Sequence, residues 1–336
     1  MSENIFGTTH GMSIREPSAG HKFKGHVIRE VRGSEQSPVQ LDTITDLPSR
    51  YKAVLLDQFG VLHDGVDPYP GAIQAVQALA QKGLRVLIIS NSSRRSSGAL
   101  GKLAAMGFAE EAFAGAITSG EVAHAALLHR QGQFWETLGN KCIHFTWGAR
   151  GSISLQGLGL EVVRDVEKAE FVLAHGTEAL GAGDGMEPTP ISLEKIKEIL
   201  RVAATKNLPL LIANPDVVTV DKNYLRLMPG MFGRWYNEMG GKECVLLGKP
   251  APVIYKAAMQ LLGLHDPKDV IAIGDSLEHD IAGAQSAGCD SVFVAGGIHA
   301  EELGVSGTSQ TVEIEKLEAL CEQHGAQPNF VISFLQ

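Results

Sequence analysis

From residue 51 onward, short unbroken apolar runs alternate with stretches of helical period. The run from Tyr51 to Leu56 predicts a buried strand that stops at Asp57 and a glycine turn. A helix is expected over about 70–82, a second strand over 84–89 and a second helix over 96–106. This alternation argues for a parallel sheet covered by helices.

A different block begins near residue 133. Its predicted strands are Lys141 to Thr146, Phe171 to Ala174 and Pro209 to Ala213, with a helix at 191–205. The Gly/Pro-rich piece 181–190 reads as a loop, and 226–233 as a crossing back to the first block. The first pattern then resumes, with a strand over 243–247, a helix over 251–263, a strand over 270–274, a helix over 278–287 and a strand over 290–294. One domain interrupted by another is the simplest account. The expectation is a core of 46–132 and 243–336, an insert of 133–242 and a polar extension of 1–45. No period of the kind that marks solenoids is present.

Composition narrows the function classes. A net charge of −9 with interspersed signs argues against non-specific nucleic-acid binding. No apolar run approaches the roughly 20 residues of a membrane span, and the first residues have no apolar h-region. Cys142, Cys244, Cys289 and Cys321 lie far apart with no CxxC pair, so zinc and disulfide frameworks are poor readings and a cytoplasmic location is expected.

Four segments of the first block stand at predicted strand ends. Asp57 ends the first strand, where ligands bind in α/β sheets, and is a candidate nucleophile and metal ligand. Ser90 and Asn91 end the second, Lys249 lies in Gly248-Lys249-Pro250, and Gly274-Asp275 ends another apolar run with Asp280 five positions on. Taken singly, Ser90 reads equally as a turn or cap residue, Lys249 as a solvated loop residue and Gly274-Asp275 as a turn. Taken together they supply what phosphoryl transfer requires: an in-line nucleophile, a cation to neutralise charge and fixed donors to the phosphoryl oxygens. Asp57 and Asp275 can bind Mg²⁺, a hard ion suited to one or two carboxylates. The Ser90 hydroxyl and nearby backbone N–H groups can hold a phosphoryl oxygen, and Asn91 is a further candidate for substrate binding. Lys249 can place a compact charge beside Asp57 and the phosphate. Asp280 can brace either Lys249 or the metal's waters.

This ordered set resembles the haloacid dehalogenase superfamily, and most closely its type IIA branch of p-nitrophenyl phosphatase-like, nucleotide and pyridoxal phosphatases. The phrases that carry the resemblance are Gly60-Val61-Leu62, Ser90-Asn91-Ser92, Thr118-Ser119-Gly120-Glu121, Ala213-Asn214-Pro215-Asp216, Gly248-Lys249-Pro250 and Gly274-Asp275-Ser276, spread over about residues 50–300. It implies an α/β fold with a Rossmann-like parallel-sheet core and an inserted α/β cap. It also implies Asp57 as phosphoryl acceptor, Ser90 and Lys249 as phosphate binders, Asp275 as metal ligand, and the Phe59 backbone carbonyl as the other protein ligand to Mg²⁺. Caps of this branch often mediate dimers, so the resemblance also allows a homodimer.

One position departs from the pattern. Phosphatases of this superfamily carry an acid two residues after the nucleophile, and here that place holds Phe59. Three readings follow. A phosphatase of a small phosphorylated metabolite can act on a good leaving group, or draw its proton from His63 or Asp64 just past the turn. A dehalogenase-like C–halogen hydrolase also places an aromatic residue here, but works without the metal element this chain keeps. A phosphometabolite-binding or regulatory protein would retain the pocket with little turnover.

Overall fold

The structure, a computed structural model, describes residues 37–336 apart from 149, 184, 185, 222, 223, 308 and 309. The greater part of the expected extension, residues 1–36, lies outside the described residues. Its last positions do not: they form a strand and a short 3₁₀ turn that belong to the core. The described chain divides into two compact units. One takes residues up to Ser90, Arg95–Thr118 and Lys249–Gln336; the other takes Asn91–Arg94 and Ser119–Gly248.

The first unit is built on seven parallel strands: β1 (Val39–Gln40), β2 (Ala53–Leu56), β3 (Arg85–Ser90), β4 (Phe113–Thr118), β5 (Val270–Gly274), β6 (Asp290–Val294) and β7 (Phe330–Ile332). They lie in the order β1-β7-β6-β5-β2-β3-β4. Successive strands move one way from β2 and the other way from β5, so the order reverses between these two. A crevice forms at such a point beyond the carboxyl ends of the strands. Every residue of β2 and β5 is buried, as a parallel sheet covered on both faces requires. Leu56 pairs in register with Ile88 on one side and Ile273 on the other, in a core that also holds Leu79, Val86 and Val292. Removing so enclosed a side chain costs about 2–5 kcal/mol.

Helices Ala72–Gln81, Ala99–Ala105, Pro252–Leu261, Ala282–Ala287 and Ile314–His324 belong to this unit. Pro252 opens its helix at the position where a missing N–H costs nothing. The helix expected over 278–287 begins instead with a wide π turn at Leu277–Ile281. Ser276 caps it by accepting the His279 N–H, and the Asp280 carboxylate folds back to accept the Ser276 N–H at 3.1 Å. Such bulges recur at functional sites because they re-aim a side chain.

The second unit also carries a mixed sheet. Strands Cys244–Leu246, Leu210–Ile212, Phe171–Ala174, Lys141–Thr146, Ala179–Leu180 and Thr189–Pro190 follow in that order. Helices Leu193–Thr205 and Gly230–Glu238 pack on it through Ile196, Leu200, Phe232 and Tyr236. Its limits differ from the expected 133–242. Helix Ser119–His129 belongs to it, and the strand near 243–247 pairs with Leu210–Ile212 in this sheet and not in the core sheet. Hydrophobic period identifies a strand but not the sheet it joins. The stretch 181–190 expected as a loop ends in a short paired strand, and 226–233 contains a strand end and a helix start. Among the described residues, no helix is long and apolar enough to cross a membrane.

Candidate active site

Two strand ends at the reversal point of the core sheet each deliver a carboxylate. Asp57 follows β2, and its N–H donates to the Ile273 carbonyl at 2.9 Å, which locks the end of β2 to β5. Asp275 follows β5 and is buried. With Asp280 from the π turn, the two present carboxylate oxygens that all lie within 4.8 Å of one another. Lys249 reaches into this group: its Nζ stands 2.7 Å from Asp57 Oδ1 and 2.7 Å from Asp280 Oδ1. The Asp280 backbone is itself held, since its carbonyl accepts the Tyr255 hydroxyl at 3.0 Å. Tyr255 was not legible as part of the site, because a tyrosine in an apolar helical stripe reads as packing.

Three clustered carboxylates against one ammonium leave an excess of buried negative charge, and the proton affinities reflect it. Burial pushes the Asp57 carboxyl up to about 7; Lys249 opposes the rise and Asp280 adds to it. Burial, then Asp57 and Asp280, hold Asp275 well above the usual carboxylate range. For Lys249, burial alone would lower the ammonium, but Asp280 and Asp57 hold it well above its ordinary value. Such a group of hard oxygen donors fits a divalent cation of the Mg²⁺ type, which would relieve the repulsion.

The turn after Asp57 is shaped around Asp275. Gly60 has a φ of +82°, and a Cβ there would overlap the Asp275 carboxylate, so glycine is required on both counts. The Gly60 Cα therefore packs directly against the Asp275 carboxylate. The same oxygen, Asp275 Oδ2, accepts the Ile298 N–H at 2.8 Å. The Phe59 side chain is 42% exposed, and Val66 and Ile298 are exposed apolar residues of the same unit.

His63, one of the proton sources the sequence offers, is enclosed in the turn. It is only 2% exposed, its Nδ1 accepts the Gly65 N–H at 3.0 Å, and its ring meets Phe59 edge-on. The proton must then sit on Nε2, which is buried and finds no hydrogen-bond partner among the described residues. Burial, with Lys102 adding to it, pushes His63 down to about 4. A neutral imidazole at pH 7 gives up its proton poorly, so the geometry assigns His63 to holding the turn. Asp64 is likewise engaged: its carboxylate accepts the Val66 and Asp67 N–H groups.

Ser90 closes β3, two positions beyond the Ile88–Leu56 pair, and so ends beside the strand that delivers Asp57. The Asn91 side chain is spoken for within the second unit. Its Nδ2 donates to Asp216 Oδ1 at 2.8 Å and its Oδ1 accepts from Ser119 Oγ at 3.2 Å. The expectation of Asn91 as a substrate-binding residue is thereby confined to its backbone N–H. Within the second unit, Arg150 stacks over Trp147 and pairs with Glu178, and His175 is buried against His144.

A family model described as haloacid dehalogenase-like hydrolase matches residues 54–161, and a second, HAD-hydrolase-like, matches residues 246–319. The chain is 24% identical over 250 residues to an acid sugar phosphatase of Staphylococcus aureus, covering 74% of this chain and 88% of that protein. Among solved structures it is similar to a haloacid dehalogenase-like hydrolase from Brucella suis 1330, with a TM-score of 0.66 and 26% identity over 88% of this chain and 99% of that one. It is also similar to a p-nitrophenyl phosphatase from Archaeoglobus fulgidus, with a TM-score of 0.59 and 25% identity over 84% of this chain and 96% of that one.

Proposed function

We propose that this chain, a haloacid dehalogenase-like hydrolase of the type IIA kind, is an Mg²⁺-dependent phosphatase of a small phosphorylated metabolite. The observation that carries this reading is the line Asp57–Lys249–Asp280, with Asp275 within reach, at the carboxyl ends of β2 and β5. Asp57 attacks phosphorus through a carboxylate oxygen, the bond to the ester oxygen breaks, and an aspartyl phosphate forms. Water then attacks that phosphorus, releasing orthophosphate and restoring Asp57. Lys249 opposes protonation of Asp57 and orients it, and its charge faces the phosphoryl oxygens alongside Ser90. Asp280 fixes the Lys249 ammonium. Asp57, Asp275 and the Phe59 carbonyl would hold Mg²⁺, which neutralises phosphoryl charge when bound.

A specific observation favours a second reading, a phosphometabolite-binding protein with slow turnover. The turn that follows the nucleophile offers an exposed phenyl ring and a neutral, buried imidazole where departure of an ester oxygen calls for a proton. Hydrolysis of acetyl phosphate and p-nitrophenyl phosphate, with Mg²⁺ and with EDTA, separates the two. Metal-dependent turnover by wild type that is lost in Asp57→Asn supports the phosphatase. A ligand-induced rise in stability with no turnover supports the binding protein and overturns the phosphatase reading.

A further inference from the structure

Among the described residues, the chain passes between its two compact units at four places, after Ser90, Arg94, Thr118 and Gly248. Three residues on the same side of these crossings converge. Asn91 Oδ1 accepts the Ser119 hydroxyl at 3.2 Å, and a Cβ on Gly248 would overlap both Ser119 Oγ and Asn91 Oδ1. The other end of the Asn91 carboxamide donates to Asp216 Oδ1 at 2.8 Å. Asp216 is itself fixed, its N–H donating to Asn214 Oδ1 at 3.1 Å and its carbonyl accepting the Gly230 N–H at 2.9 Å. Asn91, Ser119 and Asn214 are buried, where an unmade hydrogen bond is costly. Asn91 is peptide-bonded to Ser90, and Gly248 to Lys249. The two polar groups assigned to the phosphoryl oxygens are thus each one residue from this knot.

We propose that Asn91, Ser119 and Asp216 form a clasp that positions Ser90 and Lys249, so that Asn91 acts on the phosphoryl site through the backbone and not by touching substrate. Its effect on turnover rests on the phosphatase reading above, but the clasp itself does not. Consecutive Cα atoms are about 3.8 Å apart, so the positions of Asn91 and Gly248 restrict where Ser90 and Lys249 can sit. Misplacement by about 1 Å can cost about a hundredfold in rate.

A reciprocal exchange tests this. Asn91→Asp sets a carboxylate against Asp216 and removes the donor between them. Asp216→Asn is milder, since the new amide oxygen still accepts from Asn91. The double variant N91D/D216N restores one donor and one acceptor with the polarity reversed, and Ser119 can still donate to position 91. For p-nitrophenyl phosphate, Asn91→Asp should lower kcat about a hundredfold, and the double variant should recover to within about threefold of wild type. Hydrogen exchange followed by mass spectrometry should show faster exchange in segments 86–92 and 244–249 of Asn91→Asp, reversed in the double variant. If Asn91→Asp does not fold, Ser119→Ala should still quicken exchange in both segments. Unchanged exchange in these segments overturns the clasp. A double variant as slow as Asn91→Asp, with its exchange restored, also overturns it, because the amide would then be needed for itself. If wild type hydrolyses no phosphate ester, the phosphatase reading falls while the exchange pattern still decides the clasp.

Discussion

The two sides of the turn at Asp57 are built from opposite chemistry. On one side Asp57, Asp275, Asp280 and Lys249 are ionisable and close-packed, and Lys249 ties Asp57 and Asp280 through two ion pairs of 2.7 Å. On the other, Phe59 and Val66 are apolar and exposed, and His63 is buried and neutral. The first side gathers the groups that the proposed attack on phosphorus calls on. Among the described residues, the second offers a phenyl ring and a neutral imidazole where a leaving oxygen calls for a proton. The contrast teaches that the two halves of phosphoryl transfer are separable in a structure, and that this chain invests in the first.

The strongest way to break the comparison is at the charged side. Asp57→Asn should lower kcat by at least about 10⁴-fold, as loss of a covalent nucleophile does in other hydrolases, measured with acetyl phosphate under saturating Mg²⁺. Retention of activity would end the nucleophile assignment.

The apolar side is sharpened by the leaving group. General acid catalysis is worth about 10²–10⁴-fold, so acetyl and aryl phosphates should outrun alkyl phosphates by at least that much. Phe59→Asp should narrow the gap by raising the alkyl rates. Equal rates across the series in wild type would mean that a proton donor exists elsewhere in the chain.

Lys249→Met separates charge from packing. It leaves Asp57 and Asp280 buried without their cation, and breaking such a pair costs about 3–5 kcal/mol. Denaturant unfolding without Mg²⁺ measures it; a loss below about 1 kcal/mol would mean that the carboxylates simply take up protons. Mg²⁺ at a hundred times its Kd should stabilise wild type by about 2.7 kcal/mol, with the gain lost in Asp275→Asn, as read from thermal shifts.

The smallest effect concerns His63. Its folded value is depressed to about 4, below the ordinary 6.5, so the unfolded chain binds the proton first as pH falls. Its contribution to stability is complete above about 6.5 and is lost toward 4, with a slope of about 1.4 kcal/mol per pH unit. His63→Gln should flatten that part of the stability curve. A His63 imidazole resonance, identified by its loss in His63→Gln, that titrates near 6.5 would contradict the buried, neutral assignment.

How much of this was legible depended on what each residue had to reveal. Asp57 and Asp275 stand at the ends of wholly apolar runs, which a strand buried on both faces produces, so their placement followed from pattern alone. β4 escaped notice because Phe-Ala-Gly-Ala-Ile-Thr mixes small residues, and its pairing slips in register beside Gly115. The closing helix Ile314–His324 and strand β7 were not anticipated either, since the polar residues of the chain's last stretch mask their period. The strand Cys244–Leu246 was seen but given to the wrong sheet, because partner choice is a tertiary fact. Asp280 reads from its spacing as a brace for Lys249 or for a metal's waters, and only the π turn shows how it reaches Lys249. The neutrality of His63 and the engagement of the Asn91 carboxamide depend on burial and on distant partners, which no spacing encodes.

The most direct test of the account is to trap the phosphorylated chain. Wild type mixed with acetyl phosphate and Mg²⁺ and quenched in acid should carry one phosphoryl group, mapped to Asp57 by borohydride reduction and mass spectrometry, and Asp57→Asn should carry none. A phosphoryl group on another residue, or steady turnover with no adduct in any quench, would contradict it.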